Sequence, residues 1–191
     1  MTVTPGRIPP LTRNGIDPAA AATIRDAFPR ADRFLADQPD APSLPAILGL
    51  LAHHPTLAAG WLTHNGALLD HGVLEPRARE LLILAVVRQT GTTYVWNEHV
   101  VLGRGAGITD EELARLRQDS RDGWSESDGA LLRAVDELVH DFTVTDGTWK
   151  ALSEHFDERA LLEMLFVVGT YACLAMVLNS VGLVPAEERV T

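Results

Sequence analysis

The sequence has 191 residues, 46% apolar and 22% charged, which suits one globular domain with a packed core. Its formal net charge of −10, with no basic stripe to override it, excludes nucleic acid as a partner. The single cysteine, Cys173, excludes an intrachain disulfide and any thiol pair within one subunit.

Residues 1–17 carry early prolines and no apolar run, so they predict an extended arm, on the surface or reaching toward a neighbour, and no secretory signal. Together with the lone cysteine this sets the expectation of a reducing, cytoplasmic location. Helical spacing governs residues 18–191, which predict a single all-α domain. A first helix is expected over 18–36, kinked or divided at Pro29, followed by a loop over 37–45. Ile47, Leu48, Leu50 and Leu51 begin a second apolar stretch, closed by His53, His54 and Pro55. Another helix is expected over 56–70, ended by His71 and Gly72.

Pro76 suits the first turn of a helix that continues over 77–90, and Gly91 suits its C-terminal cap. Thr92 or Thr93 can cap the next helix, which runs to about Gly105. Thr109 and Glu112 form a capping box for a short helix over 109–117. Beyond the turn at Asp122, Gly123 and Trp124, Ser125 caps a helix bearing Leu131, Leu132, Val135, Leu138 and Val139. Thr145 starts a short helix containing Trp149 and Leu152. Asp157 caps the last and longest, expected to stop at Gly182 and Pro185.

No charge interrupts residues 164–186, a length that can span a bilayer. Gly169, Thr170, Tyr171, Asn179 and Ser180 lie inside that stretch, and the flanks Glu163, Glu187 and Glu188 are acidic where an anchor wants basic residues. A core helix or a subunit contact is therefore expected, with no membrane partner. The short apolar helices cannot bury themselves separately, which predicts one helical bundle. The uncharged last helix and the proline-rich arm add the expectation of a homo-oligomer.

Two ionisable residues sit on apolar helix lines. Glu80 shares a face with Ile83, Leu84 and Val87; His99 shares one with Val95, Trp96 and Leu102. If the two helices fold back at Gly91, Glu80 lies about 16 Å and His99 about 12 Å along them, at similar heights. Antiparallel neighbours then bring the side chains together directly or through water. A carboxylate beside an imidazole fixes its tautomer and suits it to proton transfer near neutral pH. The same contact also serves simply to satisfy two buried polar groups, and spacing does not separate the two readings.

Pro76, Arg77, Ala78, Arg79 and Glu80 with Leu81, Leu82, Ile83 and Leu84, followed by the run from Thr92 to His99, resemble the core of carboxymuconolactone decarboxylase-like proteins. That superfamily includes the AhpD alkylhydroperoxidases. In its redox members a glutamate precedes a Cys-x-x-Cys pair and then a histidine. Here Glu80 and His99 keep the outer positions, while Thr92 and Val95 stand where the cysteines belong. The resemblance extends upstream through His54, Pro55, Thr56 and Leu57. Downstream it takes in the stretch from Gly105 to Glu112, then Tyr171, and Leu178, Asn179, Ser180 and Gly182. It covers about residues 40 to 183 and implies an AhpD-like helical bundle with an antiparallel hairpin at its centre. Many non-redox relatives have two histidines where this chain has Glu98 and His99. Glu98 therefore stands either as a second acid/base group in the pocket or as solvated surface.

The resemblance implies a cofactor-independent carbon–carbon or carbon–oxygen lyase, or an isomerase. It would decarboxylate, dehydrate or shift a proton on a small unsaturated carbonyl, lactone or carboxylic acid. Glu80 and His99 are the candidate catalytic pair, and Tyr94, Trp96, Glu98, Tyr171 and Asn179 the candidate pocket. Tyr171 and Asn179 serve equally well as cross-links between buried helices. No metal is expected, since His53 and His54 point to different sides and His64 and His71 have no third ligand nearby. A thiol peroxidase is disfavoured because Thr92 and Val95 supply no thiol. The alternative is a non-catalytic, oligomeric ligand-binding protein. Cys173, among apolar neighbours, is expected to be an inert small hydrophobe.

Overall fold

A computed structural model describes residues 6–38 and 40–184, and every regular element among them is helical. The expected stop at Pro185 and residues 1–5 of the arm lie outside the described residues. The chain packs as two compact units, residues 72–180 and the segments on either side of them.

The first unit begins with an arm whose Arg7 N–H donates to Val181 O (2.7 Å) and whose Leu11 N–H donates to Gly49 O (3.0 Å). Residues 7–11 thus lie along their own chain. Helix α1 (Pro18–Ala27) starts on Asp17, whose carboxylate accepts from Ala19 and Ala20 N–H, with Pro18 in the first turn. The residue before a proline is pushed out of the helical region, so Phe28 is extended and the predicted 18–36 helix divides. A short 3₁₀ turn, Pro29–Ala31, leads into α2 (Asp32–Leu35). Helix α3 (Ala46–Leu51) and α4 (Pro55–Asp70) follow, α4 opening on His54, whose Nδ1 accepts from Leu57 N–H. Ile24, Ala31, Leu48, Ala58 and Leu62 form the core of this unit, with Trp61 and Phe28 packed against it.

The second unit contains α5 (Pro76–Thr90), α6 (Thr93–Gly105), α7 (Asp110–Arg117), α8 (Glu126–Asp141), α9 (Asp146–Ser153) and nearly all of α10 (Glu158–Val181). Every residue from Glu80 to Val87 is buried, so α5 is enclosed on all sides and forms the centre of the unit. Leu81, Leu82, Ile83 and Leu84 are fully buried, each contributing about 1.5–3 kcal/mol relative to exposure.

The α5–α6 hairpin turns at Gly91, in the left-handed region at φ 67°. Its N–H donates to Arg88 O and Thr92 N–H donates to Val87 O, a complete Schellman cap. Thr92 precedes α6 but its hydroxyl makes no capping bond; it meets the Thr90 hydroxyl at 3.1 Å instead. The Thr109–Glu112 capping box forms as the sequence predicts, and Ser125 and Asp157 accept from Asp128 and Ala160 N–H. Helix α10 is long and apolar enough to cross a membrane, with mean hydropathy 2.1 and 44% of its window buried.

Candidate active site

Three buried polar side chains from three helices meet inside the second unit: Glu80 of α5, His99 of α6 and Tyr171 of α10. The hairpin at Gly91 sets the first two at matching heights. Close helix approach is helped by Gly103, one turn beyond His99, where a Cβ would lie 3.1 Å from Leu84 Cδ1. The buried line of α6 is therefore Val95, His99 and Gly103, each four residues apart. Leu102, expected on that line, is 54% exposed because it falls a quarter turn away.

His99 Nδ1 lies 2.7 Å from Glu80 Oε2, and Tyr171 OH lies 3.1 Å from His99 Nε2. The tyrosine and histidine rings meet edge to face, 5.1 Å between centroids at 89°. Arg79 Nε stands 3.5 Å from Glu80 Oε1, at the outer limit of a hydrogen bond. With Glu80 as a carboxylate, one proton arrangement satisfies the chain. His99 Nδ1–H donates to Glu80, which leaves Nε2 with a lone pair that accepts from the Tyr171 hydroxyl. Burial, then the nearby Glu80 charge, pushes the Tyr171 phenol well above its ordinary value, so it remains a donor.

The other candidate residues are placed differently. Tyr94 is buried. Trp96 is half-buried, with the Arg117 guanidinium 5.2 Å from its ring centroid, which engages it with α7. Glu98 is exposed: next to His99 in sequence, it is turned about 100° around α6 and forms solvated surface. Asn179 is exposed and donates to Thr90 O at 2.7 Å, closing an end carbonyl of α5 about 12 Å along α10 from Tyr171. It is a cross-link, not part of the Glu80 cluster. Thr92 and Val95 are both buried. Cys173, expected to be an inert hydrophobe among apolar neighbours, is exposed on the outer face of α10. His53 Nε2 meets Pro9 O at 2.9 Å. Among the described residues no group of three or more His, Cys, Asp or Glu is arranged to hold a metal ion.

Sequence reasoning placed Glu80 and His99 through the hairpin. It did not assign Tyr171 to Nε2, because 72 residues separate them and no local periodicity spans that gap.

These helices, with a buried Glu–His pair on a central hairpin, define the class as an AhpD-like all-α fold. Residues 55–137, which contain Glu80 and His99 but end before Tyr171, match the carboxymuconolactone decarboxylase family. Among solved structures, the chain is similar to an alkylhydroperoxidase AhpD core, an uncharacterized peroxidase-related protein from Ralstonia eutropha JMP134. The TM-score is 0.77 at 16% identity, covering 98% of this chain and 95% of that one. It is also similar to a protein of unknown function from Agrobacterium tumefaciens described as a putative antioxidant defence protein AhpD. There the TM-score is 0.64 at 16% identity, covering 71% of this chain and 95% of the other. No curated protein matches the sequence.

Proposed function

We propose that the protein is a cofactor-independent lyase or isomerase acting on a small unsaturated carbonyl compound, lactone or carboxylic acid, with Glu80 and His99 as its proton-transfer pair. The observation that carries the reading is the buried 2.7 Å contact between His99 Nδ1 and Glu80 Oε2, within the family-matched segment. A carboxylate there stabilises the imidazolium that forms when Nε2 takes a proton, and low polarity around the pair strengthens that attraction.

The step balances without a thiol or an electron acceptor. Nε2 takes a proton from the carbon beside a conjugated carbonyl, and the C–H electron pair moves into an enolate. The imidazolium returns the proton at another carbon, giving isomerisation, or the enolate expels a leaving group, giving elimination. For loss of carbon dioxide, the C–C pair forms the enolate, and an imidazolium that has first taken a proton from solvent at Nε2 delivers it to the carbon. Tyr171, released from Nε2, can donate to the enolate oxygen. Thr92 and Val95 supply no nucleophilic sulfur, which disfavours thiol peroxidase chemistry.

A second reading has its own observation: both His99 nitrogens and both Glu80 oxygens already have protein neighbours. Such a satisfied network can be a core cross-link in a non-catalytic ligand-binding protein. The test is deuterium exchange in D₂O on a panel of small unsaturated lactones and acids, followed by NMR. Exchange or turnover with the natural chain, lost in a folded His99→Gln variant, supports catalysis. A natural chain no faster than buffer across the panel, or a His99→Gln variant as fast as the natural chain, overturns it.

A further inference from the structure

Arg79 is the fourth polar side chain at the Glu80 centre. Neighbouring residues of an α-helix point about 100° apart, so position 79 starts away from the line that carries Glu80 inward. Its guanidinium nevertheless comes back to the site. Nε stands 3.5 Å from Glu80 Oε1, the oxygen opposite the one that meets His99. The Tyr171 phenol registers the same charge: burial and then Glu80 push it up, and Arg79 pulls it down. Water reaches the cluster mainly at two side chains, His99 (10% exposed) and Arg79 (16%), while Glu80 and Tyr171 are each 3% exposed. The centre therefore presents a base and a permanent cation toward solvent.

We propose that Arg79 is the counter-charge to the enolate, so that the site is built to bind a conjugated oxyanion. The inference rests on the Glu80–His99 reading and adds a group that this reading does not use. When a proton passes from carbon to His99 Nε2, a positive charge appears on the imidazole and a negative one on the substrate's carbonyl oxygen. Glu80 attracts the first and repels the second, and a dry interior strengthens both effects. A carboxylate alone thus helps and hinders the same step. Arg79 removes the conflict. With Glu80 it makes a pair of zero net charge before the step, and afterwards the imidazolium has an anion beside it and the enolate a cation.

The enolate oxygen then meets two kinds of donor, the Tyr171 hydroxyl and the guanidinium. Arginine suits the place better than lysine, because it keeps its proton and its planar fork can serve Glu80 and an incoming oxygen at once. The need is sharper in a chain of net charge −10, whose field repels anions generally. An anionic intermediate requires a positive group supplied at the site itself.

The probe is 4-nitrophenolate, a stable conjugated oxyanion that stands in for the enolate, with benzoate as the carboxylate control. In equilibrium dialysis the natural chain should take up 4-nitrophenolate in preference to benzoate, and Arg79→Gln should bind it at least about tenfold more weakly. Arg79→Lys should recover most of that loss, since it restores the charge. On the deuterium-exchange panel, Arg79→Gln should lower the saturated rate about 100-fold with KM nearly unchanged, because the enolate charge develops only in the transition state. The downfield His99 Nδ1–H proton resonance should persist in both variants, which shows the contact with Glu80 intact. Loss of that resonance in Arg79→Gln would reduce Arg79 to holding Glu80 and overturn the inference. So would a natural chain that binds no 4-nitrophenolate, equal binding by Arg79→Gln, or no recovery in Arg79→Lys. Benzoate held more tightly than 4-nitrophenolate, or an effect on KM alone, would make Arg79 an anchor for a substrate carboxylate and overturn it as well. The two readings fail separately. Binding of 4-nitrophenolate through Arg79 with no exchange on any substrate removes the lyase or isomerase and leaves the oxyanion site. Exchange lost in His99→Gln but untouched in Arg79→Gln does the reverse.

Discussion

Helix α5 carries two ionic centres one turn apart, and they are built on opposite plans. At its start, Arg77 donates to Glu112 (2.7 Å), Asp128 (2.9 Å) and Gly107 O (3.0 Å), joining the beginnings of α5, α7 and α8. Its side chain is 31% exposed, and its carboxylate partners are 15% and 13% exposed. One turn on, Glu80 is 3% exposed and its closest hydrogen-bond partner is a histidine ring, itself in contact with a phenol. The Arg77 centre holds permanent charges in fixed pairs, and none of its protons moves near neutral pH. The Glu80 centre sets a carboxyl group beside an imidazole, which can exchange a proton at Nε2, and a phenol that donates to it. Permanent pairing suits a brace; exchangeable protons in a dry interior suit chemistry.

The comparison is broken most directly at His99. Under the proposed mechanism, His99→Gln should lower deuterium exchange by about 100-fold or more, because the general base is lost. The amide keeps a donor for Glu80, so the melting temperature should change little. A large loss of stability with exchange intact would put His99 on the bracing side.

The counterpart at the other centre is Arg77→Ala. It leaves Glu112 and Asp128 facing each other without a cation and should cost about 2 kcal/mol, between exposed and fully buried pairs. Denaturant titration measures it. Exchange per folded molecule should be preserved, since Arg77 touches none of the three site residues.

Glu112 provides a smaller effect with a defined pH window. Its hydrogen bonds from Arg77 hold the carboxyl below the ordinary value of 4.5, against a smaller opposing effect of burial. Because the folded value is depressed, this stabilisation is complete above about 4.5 and is lost as pH falls through the folded value. Glu112→Gln keeps a side chain able to serve the capping box but removes the charge. It should cost about 1 kcal/mol at neutral pH and flatten the acid limb of the stability curve. An acid limb as steep as that of the natural chain would remove Glu112 from this account.

The two centres also differ in how far the sequence disclosed them. Caps at Gly91, Thr109, Ser125 and Asp157 were legible because capping is local chemistry within a few residues. The Glu80–His99 juxtaposition was legible because one glycine turn fixes the register of both helices. Arg77 with Asp128, and Tyr171 with His99, were not, because tertiary packing brings together residues 51 and 72 positions apart. Orientation within a helix was the other blind spot. The sequence leaves Glu98 open between pocket and surface and puts Leu102 on the His99 line; the observed 95–99–103 line decides which face is inward. Asn179 and Trp96 share a different lesson, since polar and aromatic residues near a site are often committed to the scaffold.

The smallest effect separates the two readings of the buried network itself. Tyr171→Phe removes one hydroxyl and leaves the ring that meets His99 edge to face, so packing persists. Nε2 loses its donor while Nδ1–H still donates to Glu80, and stability should fall by about 0.5–1 kcal/mol. The nitrogen-15 resonance of His99 Nε2 should shift, with the proton remaining on Nδ1. A cross-link would show only that much. If Tyr171 also donates to an enolate oxygen, exchange should fall about tenfold, a second effect of similar free energy that appears only in the transition state. Unchanged exchange alongside a shifted Nε2 would confine Tyr171 to holding the ring. An unshifted Nε2 would show that the hydroxyl does not bond it in solution, and the three-residue network would reduce to Glu80 and His99.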